Sequence, residues 1–288
     1  MNKRTTIGQT VSRLLLLTFF IFTLVPFIMV FFTSFKTTME INNMPYRTLW
    51  HRIIPDDFTN FQNIRSVFNG SASQLNGVPF YTFIINSLIV TFVSLFPSLI
   101  LAATSAYGFA KFNFPGKNVI FYMFLGLVMV PMEMISIPLF MTVSKLNLIN
   151  TYVGIMIPSF ISAFGTFLLK ESIEPLSDSY IEAGRIDGAG EFQIFRKLIM
   201  PMLSGPLVTL IVIKCTWCWN DFFWPLLVVS EESMKTVTLG LSKFSNDLFK
   251  EYGQLNAAVL LSLLPLLIVF IISHRQIKVG LMGAGVKG

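Results

Sequence analysis

Two cysteines and two histidines are the side chains of this sequence most suited to redox or metal chemistry. Cys215 and Cys218 form a C-x-x-C pair, which in a redox enzyme sits at a helix N-terminus that lowers the thiol pKa. Here the pair lies inside an apolar run, so packing within a buried helix is the better interpretation. His51 and His274 are far apart and belong to no H-E-x-x-H pattern, so the sequence predicts no metal site.

Three ionisable residues, Glu133, Lys214 and Asp221, stand inside apolar segments. Charged groups at membrane depth are rare and commonly mark the path of an ion or solute. Lys214 and Asp221 are two helical turns apart, about 10 Å along a helix axis, so this spacing predicts no direct ion pair. A pathway-lining role and a structural role toward a partner fit these residues equally, and Glu133 also fits a position near the outer membrane surface.

Aromatic residues cluster around Asn220, with Trp217, Trp219 and Trp224 in the same segment. Indole rings stack on the apolar faces of sugars, and an amide can hydrogen-bond to their hydroxyl groups. An aromatic belt at the membrane surface explains Trp224 equally well. The candidate pathway residues are therefore Glu133, Trp217, Asn220 and Asp221.

The sequence contains no spacing typical of a catalytic nucleophile and its base. The glycine-rich segment 280–287 lacks the G-K-[ST] ending of a phosphate-binding loop, so ATP is expected to bind to another polypeptide. We therefore expect a non-catalytic protein with no catalytic, cofactor-binding or metal-binding residues. An intramembrane enzyme is the less favoured alternative.

The composition indicates the class of element that must position these residues. Of the 288 residues, 53% are hydrophobic and 12% are charged, against roughly 25% charged residues in an average soluble domain. The 21 Lys and Arg residues are spread between apolar runs and form no basic stripe, so nucleic acid is not an expected partner. This composition predicts an integral membrane protein.

Six segments approach the roughly 20 apolar residues that a membrane-crossing helix requires. They are Leu14–Phe32, Phe80–Ala103, Val119–Met141, Thr151–Leu169, Leu203–Val229 and Leu255–Ile272. The first has no small-residue cleavage site after its core and is interpreted as a retained anchor. The predicted fold class is all-α: one polytopic membrane bundle of six transmembrane helices over residues 1–288, with a cytoplasmic helical hairpin.

The distribution of Lys and Arg places both termini in the cytoplasm, because the positive 105–118 connection and the C-terminal tail then lie inside. The long outer connection, residues 33–79, has room for a short helix around Asn60–Phe68.

The connection between the fourth and fifth predicted spans, residues 175–201, reads as two short helices. Ser177 is suited to cap the first, and the Gly188–Gly190 stretch supplies the permissive backbone of a turn. Apolar residues then recur at helical spacing until Pro201. An amphipathic loop on the lipid surface and a knob for a partner protein are both compatible with this pattern.

This segment resembles the EAA loop of ATP-binding-cassette (ABC) importer permeases, whose consensus is roughly E-A-A-x-x-D-G-A followed by I-x-L-P. The matching residues are Glu182, Ala183, Gly184, Asp187, Gly188, Ala189, Phe195, Ile199 and Pro201. Gly184 stands in place of the third motif alanine, and Met200 in place of leucine. Further likeness to the maltose-type second permease covers Ala106–Lys111, Phe114–Asn118, Trp217–Leu226 and Gly280–Gly288.

The resemblance implies a permease subunit of an ATP-dependent carbohydrate importer in a bacterial-type inner membrane, with Glu182–Gly184 and Asp187–Ala189 coupling it to the ATPase. It also implies a heterodimer with a second permease, two ATP-binding subunits and an extracytoplasmic solute-binding protein. A permease for a non-sugar solute and an ion-coupled secondary transporter are the alternatives. Six spans without a visible repeat speak against the latter.

Overall fold

The computed structural model describes residues 3–43, 48–245 and 251–285, and these residues form α-helices joined by loops, short 3₁₀ turns and one π-helical turn at Phe195–Ile199. In chain order the helices are α1 Lys3–Ser34, α2 Thr38–Asn42, α3 Leu49–Ile53, α4 Gln62–Phe68, α5 Phe80–Lys111, α6 Lys117–Gly126, α7 Met132–Lys145, α8 Tyr152–Met156, α9 Ala163–Ile173, α10 Asp178–Ile186, α11 Glu191–Ile194, α12 Met200–Met202, α13 Ser204–Asn220, α14 Phe223–Val228, α15 Val237–Ser242 and α16 Tyr252–Gly285. The last part of the predicted tail motif, residues 286–288, lies outside the described residues.

One compact unit comprises the described residues up to Tyr81 together with the segment Gly240–Leu264. Polar side chains in this unit stabilise its loops by hydrogen bonds to backbone carbonyl oxygens. Lys36 is buried and donates to the carbonyl oxygens of His51 and Arg52, and Asn63 donates to the carbonyl oxygens of Ser34 and Lys36. Asn63 belongs to α4, which confirms the short helix predicted around Asn60–Phe68.

The second unit comprises Thr82–Leu239 and the described residues from Pro265 onward. One of its apolar cores joins α5, α9, the hairpin and α13, through residues such as Ala106, Ile173, Ile194 and Leu210. A separate core surrounds Trp224. The candidate functional residues all lie in this unit.

Four helical segments within the described ranges are long and apolar enough to cross a membrane, and the number rises to six when each of two bent pairs is counted as one span. The single segments are Gln9–Ser34, Phe80–Lys111, Tyr152–Ile173 and Tyr252–Ile272. The bent pairs are Lys117–Met129 with Met132–Lys145, at 100°, and Glu191–Met202 with Ser204–Asn220, at 78°. The bend of the first pair lies between Met129 and Met132, inside the third predicted span, whereas the bend of the second pair lies at Leu203, where the fifth predicted span begins.

Prolines explain the interruptions within the third and fifth predicted spans. Pro131 precedes α7 in an extended conformation, and Val130 before it is also extended, as the ring of a following proline favours. Pro225 has no N–H to offer the carbonyl of Asp221 and its ring would clash with that carbonyl in a continuous helix. The freed Asp221 oxygen instead accepts the hydroxyl of Thr238 at 2.7 Å. The predicted span Leu203–Val229 accordingly becomes α13 and α14.

The fourth predicted span, Thr151–Leu169, also contains an internal break. Helix α8 passes into the 3₁₀ turn Ile157–Phe160, and α9 begins again after Ser162, whose hydroxyl accepts the N–H of Gly165 at 3.0 Å. The chain at Pro158 and Ser159 is thereby placed beside the end of α13.

Candidate functional site

The first helix of the hairpin, α10, is fixed at its N-terminus by polar contacts. The hydroxyl of Ser177 accepts the N–H of Ser179 at 3.3 Å, which confirms the predicted cap. Lys111, at the end of α5, donates to the Asp178 carboxylate at 2.7 Å and to the Leu176 carbonyl at 2.5 Å. The hydrogen bond from Lys111 holds the pKa of Asp178 below its ordinary value. The start of α10 is thus tied to α5.

The turn of the hairpin uses Gly188 in the left-handed region, at φ +80°, where a side chain would be strained. The N–H groups of Gly188 and Ala189 donate to the carbonyl oxygens of Arg185 and Gly184, at 3.0 and 2.9 Å. These bonds close the C-terminus of α10. The Gly188–Gly190 turn predicted from the sequence is confirmed at this position.

The inner face of α10 is formed by Ile181 and Gly184, one turn apart and both buried. A Cβ atom at Gly184 would lie 3.1 Å from Cδ1 of Leu198 and 3.2 Å from Cγ1 of Ile194. Helix α10 and the segment after the turn therefore approach closely here. The residue that stands in place of the third motif alanine therefore lies at a tightly packed contact.

A carboxylate links the two arms of the hairpin to α5. Glu191 Oε1 accepts from Nε of Arg185 and pairs with its Nη2, both at 2.7 Å, and Glu191 Oε2 accepts the hydroxyl of Tyr107 at 3.0 Å. The hydrogen bond from Arg185 is the main reason that the pKa of Glu191 lies below its ordinary value. At neutral pH the carboxylate is ionised and both bonds persist.

The outer face of α10 carries the motif residues Glu182 and Ala183. Ser179, Glu182, Ala183 and Ile186 recur at the spacing of one helix face, and all four are exposed. Ile186 is 86% exposed, and Phe192 beyond the turn is 72% exposed. The hairpin thus presents apolar side chains with a carboxylate at their edge, while its other face is buried in its own bundle.

A cavity of about 500 Å³ lies at the C-terminal end of α13. It is lined by Met132, Pro158, Ser159, Lys214, Thr216, Trp217, Cys218, Asn220, Asp221 and Trp224. Three of the four predicted pathway residues share this cavity. Glu133, the fourth, is exposed in the first turn of α7 and is not among the lining residues.

The tryptophans of this segment differ in their surroundings. Trp217 is 52% exposed and its ring lies 5.5 Å from that of Phe164. Trp224 is 1% exposed, and its indole N–H donates to the Gly154 carbonyl at 3.0 Å. A membrane-surface belt therefore does not account for Trp224. Its ring is part of the core, and Trp217 is the indole that remains accessible.

The two cysteines are free thiols on α13, with Cys215 buried and Cys218 half-buried toward the cavity. This placement fits the packing interpretation of the C-x-x-C pair.

Sequence reasoning did not identify Tyr107, Lys111 and Glu191 as residues that hold the hairpin. Tyr107 and Lys111 contact residues that are 63 to 84 positions away in the sequence, and no local pattern reports such distances. The one sequence feature that pointed to Tyr107 and Lys111 was the resemblance of Ala106–Lys111 to the corresponding segment of maltose-type permeases. These two residues are four positions apart and so share one face of α5.

With the hairpin and the cavity in place, comparison with known proteins defines the class. Residues 98–278, more than half of the chain, match the family described as "Binding-protein-dependent transport system inner membrane component". The chain belongs to this family of membrane transport proteins.

Individual relatives agree with this assignment. The chain is 30% identical over 228 residues to the arabinooligosaccharides transport system permease protein AraQ of Bacillus subtilis (strain 168), covering 79% of each chain. It is 30% identical over 224 residues to the sn-glycerol-3-phosphate transport system permease protein UgpE of Yersinia pestis bv. Antiqua (strain Antiqua), covering 77% of this chain and 79% of the relative.

The fold is similar to that of a solved chain from a bacterial ABC transporter involved in the import of the acidic polysaccharide alginate. The TM-score is 0.81 at 23% identity, and the match covers 96% of this chain and 98% of the other.

Proposed function

We propose that this chain is a transmembrane permease subunit of an ATP-driven carbohydrate importer, and that its hairpin receives the motion of a separate ATPase subunit. The observation that carries the proposal is the two-sided hairpin. Its inner face, at Ile181 and Gly184, is buried in the bundle, and its outer face offers Ala183, Ile186 and Phe192 to a partner.

Such a hairpin has the properties of a docking element. Exposed apolar side chains bury area in a partner groove, and Glu182 and Asp187 offer charge at the rim. Because the inner face is packed against α5, α9 and α13, displacement of the hairpin also displaces these helices. Moving a two-state transporter from 1:99 to 99:1 requires about 5.5 kcal/mol of differential interaction, and this contact is where it is delivered.

Carbohydrate is the proposed solute class. The relatives named above are permeases for arabinooligosaccharides and for sn-glycerol 3-phosphate, both polyhydroxy compounds. The cavity combines the accessible indole of Trp217 with the side-chain amide of Asn220, which suit the apolar and hydroxyl-bearing parts of such solutes. We infer that this cavity lies on the translocation pathway.

The proposal includes the remaining partners of such an importer. A second, homologous permease completes the pathway as a heterodimer, two ATP-binding subunits lie beneath it, and an extracytoplasmic solute-binding protein delivers the solute. The hairpin faces the cytoplasm, as do both termini, in agreement with the Lys and Arg distribution.

The test is uptake of labelled solute by proteoliposomes that contain the complete transporter. Uptake is expected to require ATP, the ATPase subunits and the binding protein. Phe192→Ser and Glu182→Arg are expected to lower uptake at least about fivefold, because they remove docking contacts worth 1 kcal/mol or more. The neighbouring exposed substitution Gln193→Ser is the matched control and should leave uptake near normal. Uptake that persists without ATP would instead identify an ion-coupled transporter.

A further inference from the structure

The short helix α3, Leu49–Ile53, is exposed along its whole length, since all five of its residues are exposed. Leu49 and Trp50 are 74% and 73% exposed, and Ile53 is 38% exposed. At about 100° per residue, these three side chains lie on one side of the helix, and His51 and Arg52 lie on the other. Helix α3 is therefore amphipathic, and its apolar side is directed outward.

Helix α3 is attached to the end of the first apolar span, which ends at Ser34. The ammonium group of Lys36, buried two residues further on, donates to the carbonyl oxygens of His51 and Arg52. These carbonyls belong to the last turn of α3, where helix carbonyl groups lack helical partners and a positive charge is favourable. Cα atoms of α3 also lie within 8 Å of Cα atoms of α1. The position of α3 at the end of α1 is therefore fixed.

This attachment determines the depth of α3 relative to the membrane. Two residues of chain, from Ser34 to Lys36, extend at most about 7 Å, and the headgroup layer beyond the hydrocarbon core is about 5 to 7 Å thick on each side. The helix bound to Lys36 therefore lies beside the headgroup layer. The apolar surface of α1 is exposed up to this level, since Phe31 in its last turn is 43% exposed. Exposed apolar surface thus continues from α1 to α3.

We propose that α3 lies in the lipid–water interface, with Leu49, Trp50 and Ile53 inserted among phospholipid molecules and His51 and Arg52 directed toward the headgroups. In the proposed orientation this is the outer leaflet. Tryptophan is typical of this layer because its indole combines an apolar ring with an N–H, and a long arginine side chain keeps its charge at the membrane surface. The helix anchors the outer end of α1 at a defined depth. This inference rests on α1 as a membrane span and concerns a surface other than the transport pathway.

A nitroxide spin label at position 50 measures what surrounds this helix. Trp50→Cys is made in the complete transporter, with Cys215, Cys218 and the cysteines of the other subunits replaced by serine. The labelled complex is reconstituted in vesicles of phosphatidylcholine and phosphatidylglycerol. Electron paramagnetic resonance then compares collisions of the label with oxygen, which concentrates in lipid, and with a nickel chelate, which stays in water. Met39→Cys is the matched control, because Met39 is 78% exposed in the same unit and lines a polar cavity beside Asp57.

The ratio of oxygen to nickel collisions is expected to be at least about fivefold higher at position 50 than at position 39, because apolar oxygen partitions into the lipid. Equal ratios at the two positions would overturn the proposal, since lipid contact would then not distinguish α3. Low collision rates with both reagents at position 50 would also overturn it, because they would show that another protein subunit covers the helix.

The native indole supplies a second measurement that requires no cysteine replacement. The tryptophan emission of the parent transporter minus that of Trp50→Phe isolates the emission of Trp50. In vesicles of phosphatidylcholine brominated close to the headgroup, this difference is expected to fall by about half or more, and bromine near the chain ends should quench it less. Absence of quenching by the shallow bromine would overturn the proposal. Neither measurement requires ATP or solute, so both are separate from a failure of ATP-dependent uptake, which would count against the permease function.

Discussion

Tyr107 and Glu191 are 84 positions apart in the sequence, and the hydroxyl of Tyr107 donates to Glu191 Oε2 at 3.0 Å. The second oxygen of the same carboxylate is held by Arg185 of α10. One turn further along α5, Lys111 holds the other end of α10 through Asp178. The last two turns of α5 therefore contact both ends of α10, directly through Asp178 and through Glu191 to Arg185. A displacement of α10 is expected to be transmitted to α5 through these contacts.

Removing the Tyr107 hydroxyl is expected to weaken this transmission. Tyr107→Phe keeps the ring contacts with Phe112 and Phe195 and loses a hydrogen bond to a charged group, worth about 1 kcal/mol at this partly exposed site. We expect the amount of solute taken up per ATP hydrolysed to fall about fivefold, with ATP hydrolysis retained. Both rates are measured in proteoliposomes containing the whole transporter.

Tyr122→Phe is the matched control, because Tyr122 is 68% exposed on α6. Its ratio of uptake to hydrolysis should equal that of the parent protein. An unchanged ratio in Tyr107→Phe as well would show that the hydroxyl has no part in coupling.

The close contact at Gly184 predicts that only a very small side chain is accommodated at position 184. Gly184→Ala gains about 1 kcal/mol of helix propensity and must move the ends of Leu198 and Ile194 by a few tenths of an ångström, so its stability should remain close to that of the parent. Gly184→Val has additional atoms in a packed core and should be destabilised by about 1 to 3 kcal/mol. Thermal unfolding in detergent compares the two variants.

Ala183→Val is the control on the outer face of the same helix, where the side chain is exposed. Its unfolding temperature should stay within a degree or two of the parent value, although its docking surface is altered. Equal losses of stability in Ala183→Val and Gly184→Val would contradict the assignment of inner and outer faces.

The Arg185–Glu191 pair predicts a defined pH dependence. The pKa of Glu191 is lowered below its ordinary 4.5 in the folded protein, chiefly by the hydrogen bond from Arg185. The stabilisation is therefore fully present above about pH 4.5 and is lost as the pH falls through the lower folded-state pKa. Unfolding temperatures of the parent and Glu191→Gln should differ by a constant amount from about pH 5.5 to 7 and converge in acid. A difference that instead grows on acidification would refute this linkage.

The indole of Trp224 predicts a structural role. Trp224→Phe removes the hydrogen bond to the Gly154 carbonyl, leaves that oxygen without this donor and opens a small void, so it should cost about 2 to 4 kcal/mol. Trp217→Phe, at a half-exposed ring, should cost less than about 1 kcal/mol. The two variants are compared by thermal unfolding, and similar losses would place both rings in equivalent surroundings.

Several features of this molecule follow from local sequence and were predicted from it. The apolar runs define membrane-spanning segments, because the bilayer imposes a length and an absence of charge that any short stretch of sequence reveals. The Ser177 cap and the Gly188 turn were equally predictable, since each depends on a residue and its immediate neighbours. Breaks at Pro131 and Pro225 have local causes too, but sequence alone does not decide whether a membrane proline bends a helix or is accommodated within it.

The tertiary structure alone decided which distant residues meet. Lys111 with Asp178 and Tyr107 with Glu191 became pairs only when α5 and the hairpin packed together. The cavity is likewise lined by the end of α13, the start of α14 and the turn at Pro158, which are distant in sequence. Only the structure shows that Trp224 is buried in the core and does not lie at the membrane surface. The physical reason is that hydrophobic periodicity and capping act over a few residues, whereas a binding site depends on how complete helices pack.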